Sequence, residues 1–137
     1  MTELIDSEGN TAFTRTENRN IESNQLCGFD FTASIQNPIL WYPIGASGSP
    51  HLYTLINKVY ADGKLVDTRS EKVGLRTITW DKNHCFVNGE KVILRGFGNR
   101  NIYPGLGSAM PESLQWNDMR LIAECGGNTL RVGHQSP

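Results

Sequence analysis

HLYTLINKVYADGKLVDTRS (residues 51–70) holds two runs in which apolar and polar residues alternate, with Ala61-Asp62-Gly63-Lys64 between them. Asp-Gly at that point signals a hairpin, because a two-residue primed turn needs positive φ at both central positions. The device recurs in HCFVNGEKVILRGF (84–97), where Asn88-Gly89 separates Phe86-Val87 from Val92-Ile93-Leu94. These two hairpins give the first two-thirds of the chain the punctuation of an antiparallel β-domain.

Working outward towards the N-terminus, GFDFTASI (28–35) alternates with period two and puts Phe29, Phe31, Ala33 and Ile35 on one face. Before it, TELID (2–6), the turn SEGN (7–10) and the threonine-rich TAFTRTENRNI (11–21) suit two further strands. NPILWYP (37–43) is bracketed by Pro38 and Pro43, which exclude a helix there. With GLRTITWD (74–81) the strands number about seven, a count that suggests an immunoglobulin-type β-sandwich. Trp41 and Tyr53 are expected in its core rather than on a sugar-stacking platform.

Beyond Gly96 the character changes. GFGNRNIYPGLGSAM (96–110) is expected to be a long loop, a length uncommon without a functional reason. Gly105-Leu106-Gly107 lacks the third glycine and the adjoining strand of a phosphate loop, so turn formation is expected there. In PESLQWNDMRLIAECGG (111–127), Pro111 suits the first helical turn, Glu112 the positive end, and Gly126-Gly127 the stop. Leu114, Leu121, Ile122 and Cys125 form one stripe, and Trp116, Met119 and Ala123 a second, which predicts a helix packed on more than one neighbour. NTLRV (128–132) is then a short buried strand. Residues 1–80 are expected to form the sandwich domain and 81–137 an α/β piece appended to it.

Composition narrows the function classes. The 137 residues carry 13 basic and 14 acidic side chains, well interspersed, so no basic stripe exists to neutralise phosphates and nucleic acid is not an expected partner. No apolar run approaches the ~18 residues of a membrane span, so no membrane role is expected. The first ten residues, MTELIDSEGN, have neither a basic n-region nor an apolar h-region. Cys27, Cys85 and Cys125 form no CxxC and are expected to be buried free thiols. His84 and Cys85 are adjacent, and strand neighbours point to opposite faces, so they make no shared metal site. No metal or other cofactor is expected.

The segments NPILWYP, SPHLYTL, DGKLVDTRSEKVGLRTITWD and FVNGEKVILRGFGNRNIYPG, followed by GGNTLRVGHQSP, resemble glycoside hydrolase family 2. That family holds bacterial β-galactosidases, β-glucuronidases and β-mannosidases. The likeness runs in the family's order from about Asn37 to Pro137. It implies the family's central immunoglobulin-like domain joined to the start of its TIM-barrel catalytic domain. It further implies that N-x-x-R-x-x-H, here 128–134, is an early barrel strand, and that Arg131 and His134 match residues lining the sugar pocket. Asn101, or Arg100 beside it, would reach the first sugar from the loop after Leu94-Arg95-Gly96, where many β-galactosidases carry histidines instead.

The resemblance also implies retaining hydrolysis by two glutamates on later barrel strands. Such chemistry needs carboxyls about 5–5.5 Å apart. The chain has no Asn-Glu dipeptide, and Glu90, Glu112, Asp118 and Glu124 fall on a hairpin and a helix, where they are expected to be solvated or capping. The chain is therefore expected to be a non-catalytic part of a longer glycosidase, incomplete at both ends, with no catalytic residue of its own. Its expected partner is a carbohydrate substrate in the intact enzyme, in either the cytoplasm or the periplasm. The edge of the 128–132 strand is expected to recruit a second copy by dimerisation or strand exchange. The competing reading is a stand-alone sandwich that binds glycans or proteins; the apolar α/β unit at the C-terminal end argues against it.

Overall fold

The computed structural model describes residues 1–99 and 102–133. They divide into two compact units: Met1–Trp41 with His51–Leu75, and Tyr42–Pro50 with the chain from Arg76 onward. The fold is mainly β, with antiparallel sheets and one helix.

The first unit is built on β1 (Thr2–Ile5), β2 (Thr11–Arg15), β3 (Tyr53–Ala61) and β4 (Lys64–Val73), in the order β2-β1-β3-β4. The Asp-Gly hairpin forms as expected: Asp62 and Gly63 take φ of 50° and 76°, and Ala61 faces Lys64 across the turn. The turn between β1 and β2 is organised by Asp6, whose carboxylate accepts the Glu8 and Asn10 N–H groups at 2.9 and 2.8 Å. Leu4 and Tyr53 are the buried apolar side chains, at 4% and 3% exposure. Tyr53 is core, as expected; its hydroxyl accepts the Ile39 N–H at 2.8 Å, and the His51 ring packs edge-on against it. Trp41 covers Gly74 so closely that a Cβ there would lie 2.8 Å from the indole, and the main-chain N–H of Trp41 donates to Leu75 O at 2.8 Å. Glycine at 74 is thus the residue that lets the ring lie against the backbone.

GFDFTASI departs from expectation. No ladder includes residues 28–35, and Phe29 and Phe31 are exposed. Alternation assigns faces, but a strand also needs a neighbour to take its backbone bonds. Among the described residues none pairs with this stretch. Phe31 instead stacks on Phe13 and lies under the Arg15 guanidinium, and Phe29 lies under that of Arg19.

The second unit opens with a three-stranded meander of β5 (Ile78–Trp80), β6 (Cys85–Val87) and β7 (Glu90–Val92). Asn88 and Gly89 take φ of 53° and 81°, the expected primed turn. Asn88 also exchanges two bonds with Thr77, its N–H donating to the carbonyl and its Oδ1 accepting the N–H, each at 2.9 Å. Cys85, Val87 and Val92 are buried on one face of the meander. Of the three cysteines only Cys85 is buried: Cys27 is half-buried beneath Arg19, and Cys125 is exposed at a helix end.

A parallel unit follows, comprising β8 (Gly96–Asn99), α1 (Glu112–Glu124) and β9 (Thr129–Val132). β8 corrects the sequence reading, which placed 96–99 in a loop. Glycine-rich chain forms a strand here because Gly96 admits the Thr129 carbonyl where any side chain would collide. β9 accordingly has a parallel neighbour on one edge. Pro111 stands at the N-cap, one position before the helix proper. The stop forms as expected: Gly126 is left-handed at φ 79°, and Gly126 and Gly127 donate to the Ala123 and Ile122 carbonyls at 2.9 Å each. This is a Schellman closure. Packing on two sides is not found, since α1 buries no residue and Trp116 is 67% exposed.

Candidate functional site

The parallel pair has two unlike faces. Its register sets Gly96 opposite Thr129, Phe97 opposite Leu130, Gly98 opposite Arg131 and Asn99 opposite Val132. Because side chains alternate, Phe97, Asn99, Leu130 and Val132 share one face. There Asn99, Leu130 and Val132 join Glu112, Gln115, Trp116 and Met119 of α1 around a cleft of about 280 Å³. The opposite face carries Gly96, Gly98, Thr129 and Arg131. Space above Gly98 is open, and Arg131 is exposed. A guanidinium beside Gly98 leaves room for a ligand to meet its five N–H donors.

Of the sequence-predicted site residues, the structure thus places Arg131 on the strand face away from α1. Asn101, His134 and the neighbouring Arg100 lie outside the described residues. Before α1, Tyr103 and Gly107 exchange backbone bonds of 2.9 Å, and Gly105 and Gly107 take φ of 81° and 59°. These glycines form a turn, as expected.

The nearby acids are engaged locally. Glu90 accepts the Ser47 N–H at 3.1 Å together with the Ser47 hydroxyl. Glu112 accepts the Trp116 indole N–H at 3.1 Å, and Glu124 pairs with Arg120. Asp81 organises the β5–β6 turn, accepting the Asn83 and His84 N–H groups at 2.8 and 2.6 Å and facing His84 Nδ1 at 3.1 Å. These bonds, that from Asn83 foremost and the His84 ring next, hold its carboxyl below the usual range.

One residue without a role in the sequence reading proves central. Asn128 binds four backbone groups, with Oδ1 accepting the Arg95 N–H at 2.8 Å and Nδ2 donating to Ile93 O at 3.0 Å and Ile44 O at 3.3 Å. Its own N–H donates to Arg95 O at 2.8 Å. The signal was present as the first residue of N-x-x-R-x-x-H, a polar side chain at the mouth of an apolar strand.

The described residues thus join an antiparallel β-domain and a parallel β-α-β unit that carries an arginine on its open strand face. Residues 1–76 match the sequence profile of Glycosyl hydrolases family 2, and the match ends one residue beyond the first unit's last, Leu75. The chain belongs to that family.

Among curated relatives, a β-glucuronidase of Formosa agariphila is 32% identical over 98% of this chain. A β-galactosidase of Thermoanaerobacter pseudethanolicus is 32% identical over 73%. The chain spans only 14% and 13% of their respective lengths. A crystal structure from Bacteroides fragilis, assigned as a β-galactosidase, superposes with a TM-score of 0.88 at 26% identity, over 98% of this chain and 20% of that one. The Ruminococcus gnavus β-glucuronidase in complex with D-glucuronic acid gives a TM-score of 0.75 at 22% identity, over 98% of this chain and 21% of its own, a likeness of fold alone.

Proposed function

We propose that these residues serve a retaining β-glycosidase, with 1–80 as its supporting sandwich and 81–137 as the beginning of its TIM barrel. The observation that carries the proposal is the parallel pairing of β8 with β9, with α1 between them in sequence, C-terminal to the family-matching segment and separated from it by the β5–β7 meander. Barrel active sites are built at the C-terminal ends of such strands. Arg131 lies near that end of β9, on the face away from α1. In this reading Arg131, His134 and Asn101 line the sugar pocket of the intact enzyme, and the substrate is a β-glycoside.

The 137 residues contribute binding and support without catalysis. Glu90, Glu112 and Glu124 are held by Ser47, Trp116 and Arg120, as carboxylates engaged locally rather than as the nucleophile and acid/base that retention needs.

The test has two arms. Nitrophenyl β-D-galactoside, β-D-glucuronide and β-D-mannoside are offered to the 137-residue chain, with no turnover expected. In a protein carrying these residues ahead of a complete barrel, Arg131→Ala is expected to lower kcat/KM by about tenfold or more, the loss of a charge-assisted bond to substrate. Turnover by the chain alone would refute the non-catalytic role, and an unchanged kcat/KM would refute the role of Arg131.

A further inference from the structure

Asn128 has an amide engaged at both ends, and with main chain throughout. Its partners come from two segments distant in sequence. Ile93 and Arg95 lie directly before β8, and Ile44 lies in the loop 42–50. That loop is closed on itself by Tyr42 N–H to Ser49 O at 2.9 Å and Ala46 N–H to Pro43 O at 3.2 Å. It is tied to β7 by the bonds from Ser47 to Glu90. Ile44 is 45% exposed, so its carbonyl, rather than burial of its side chain, secures the loop at this point.

We infer that Asn128 is a coupling residue that makes loop 42–50 and the β8–β9 register one cooperative unit. The two ends of the amide divide the work. Oδ1 and the main-chain N–H of Asn128 fix Arg95 on both its donor and its acceptor, which sets where β8 starts against β9. Nδ2 spends both protons on carbonyls, one before β8 and one in the loop, and so carries that register to residues 42–50. Energetic coupling is reciprocal, so a disturbance entering at the loop must also reach Arg95.

Amide hydrogen exchange in the 137-residue chain tests this. Asn128→Asp keeps the acceptor for Arg95 N–H but turns an oxygen towards the Ile44 and Ile93 carbonyls. Exchange at Tyr42, Ala46 and Ser47 is expected to quicken about tenfold or more, with Arg95 and the β9 amides changing less than about threefold. Ser47→Ala leaves Asn128 intact and loosens the loop from its far end. It is expected to quicken exchange in the loop and, about threefold or more, at Arg95. In the Asn128→Asp background, Ser47→Ala should no longer reach Arg95. An unchanged loop in Asn128→Asp overturns the inference, as does a Ser47→Ala loop that quickens without Arg95 following. If Asn128→Asp does not fold, the Arg95 response to Ser47→Ala decides alone.

Discussion

Gly96 and Thr129 face each other across the parallel pair with no room between them for a side chain. A Cβ on Gly96 would run into the Thr129 carbonyl oxygen and lie 3.0 Å from both its carbonyl carbon and its Cγ2. Two residues on, and on the same face, Gly98 has open space where its Cβ would be. Gly96→Ala is therefore expected to destabilise the second unit by about 1–3 kcal/mol, the cost of overpacking against rigid backbone. Gly98→Ala removes unfolded-state freedom without a clash, and is expected to be neutral or to stabilise by up to about 1 kcal/mol. Urea unfolding of the two variants checks this, and equal losses would show that the close approach at Gly96 does not matter.

A second prediction concerns the bond from Ile39 to Tyr53. The hydroxyl accepts a main-chain N–H at 2.8 Å, and the ring is only 3% exposed. Tyr53→Phe keeps the ring and leaves the Ile39 N–H without its acceptor, in a half-shielded place where water only partly replaces it. A loss of about 1–3 kcal/mol is expected, with exchange at Ile39 quickening in step. A loss below about 0.5 kcal/mol would mean that solvent reaches the amide freely.

The elements most legible in the sequence were those fixed by neighbouring residues. Asp62-Gly63 and Asn88-Gly89 specify their turns through φ alone, and Gly126-Gly127 closes α1 by the same local means. What escaped depended on distant partners. GFDFTASI has the pattern of a strand but no pairing neighbour among the described residues, and β8 lacks the pattern of a strand yet becomes one because Thr129 comes to meet it. Trp116 and Met119 marked a second apolar stripe on α1, but a stripe does not reveal what covers it, and Trp116 is exposed. At the site, sequence pointed to Arg131 through its motif and passed over Asn128, whose four bonds reach segments about thirty and eighty residues away.

In each unit the bonds of a turn hold an aspartate, Asp6 or Asp81, below the usual carboxylate range, and stability is expected to depend on pH through them. The Asn10 main-chain N–H, then its side chain, lowers the Asp6 pKa; the Asn83 N–H, then the His84 ring, lowers that of Asp81. A carboxylate with a depressed folded pKa contributes stability that is fully present above its unfolded pKa. That contribution is lost as pH falls through the folded value. Asp6→Asn and Asp81→Asn should each lower stability at neutral pH and flatten its decline on the acid side, below the ordinary carboxylate range. Thermal melts of the three proteins from neutral to strongly acidic pH test this. Parallel curves for wild type and variants would rule out both aspartates as the source.

A final prediction separates residues that hold the fold from the one proposed to hold substrate. Leu4 is 4% exposed in the middle of β1, between β2 and β3, facing Phe13 and Leu55 in register. Leu4→Ala removes buried apolar volume and is expected to cost about 2–5 kcal/mol. Arg131 is exposed on an open strand face beside glycine, so Arg131→Ala is expected to change stability by no more than about 0.5 kcal/mol in either direction. Denaturant midpoints measured on the same chain make the comparison. A large loss at Arg131 would mark it as a brace within the second unit and weaken the case for a sugar contact. Neutrality there, together with a fall in kcat/KM when the barrel is complete, is the pattern of a side chain retained for a ligand rather than for the fold.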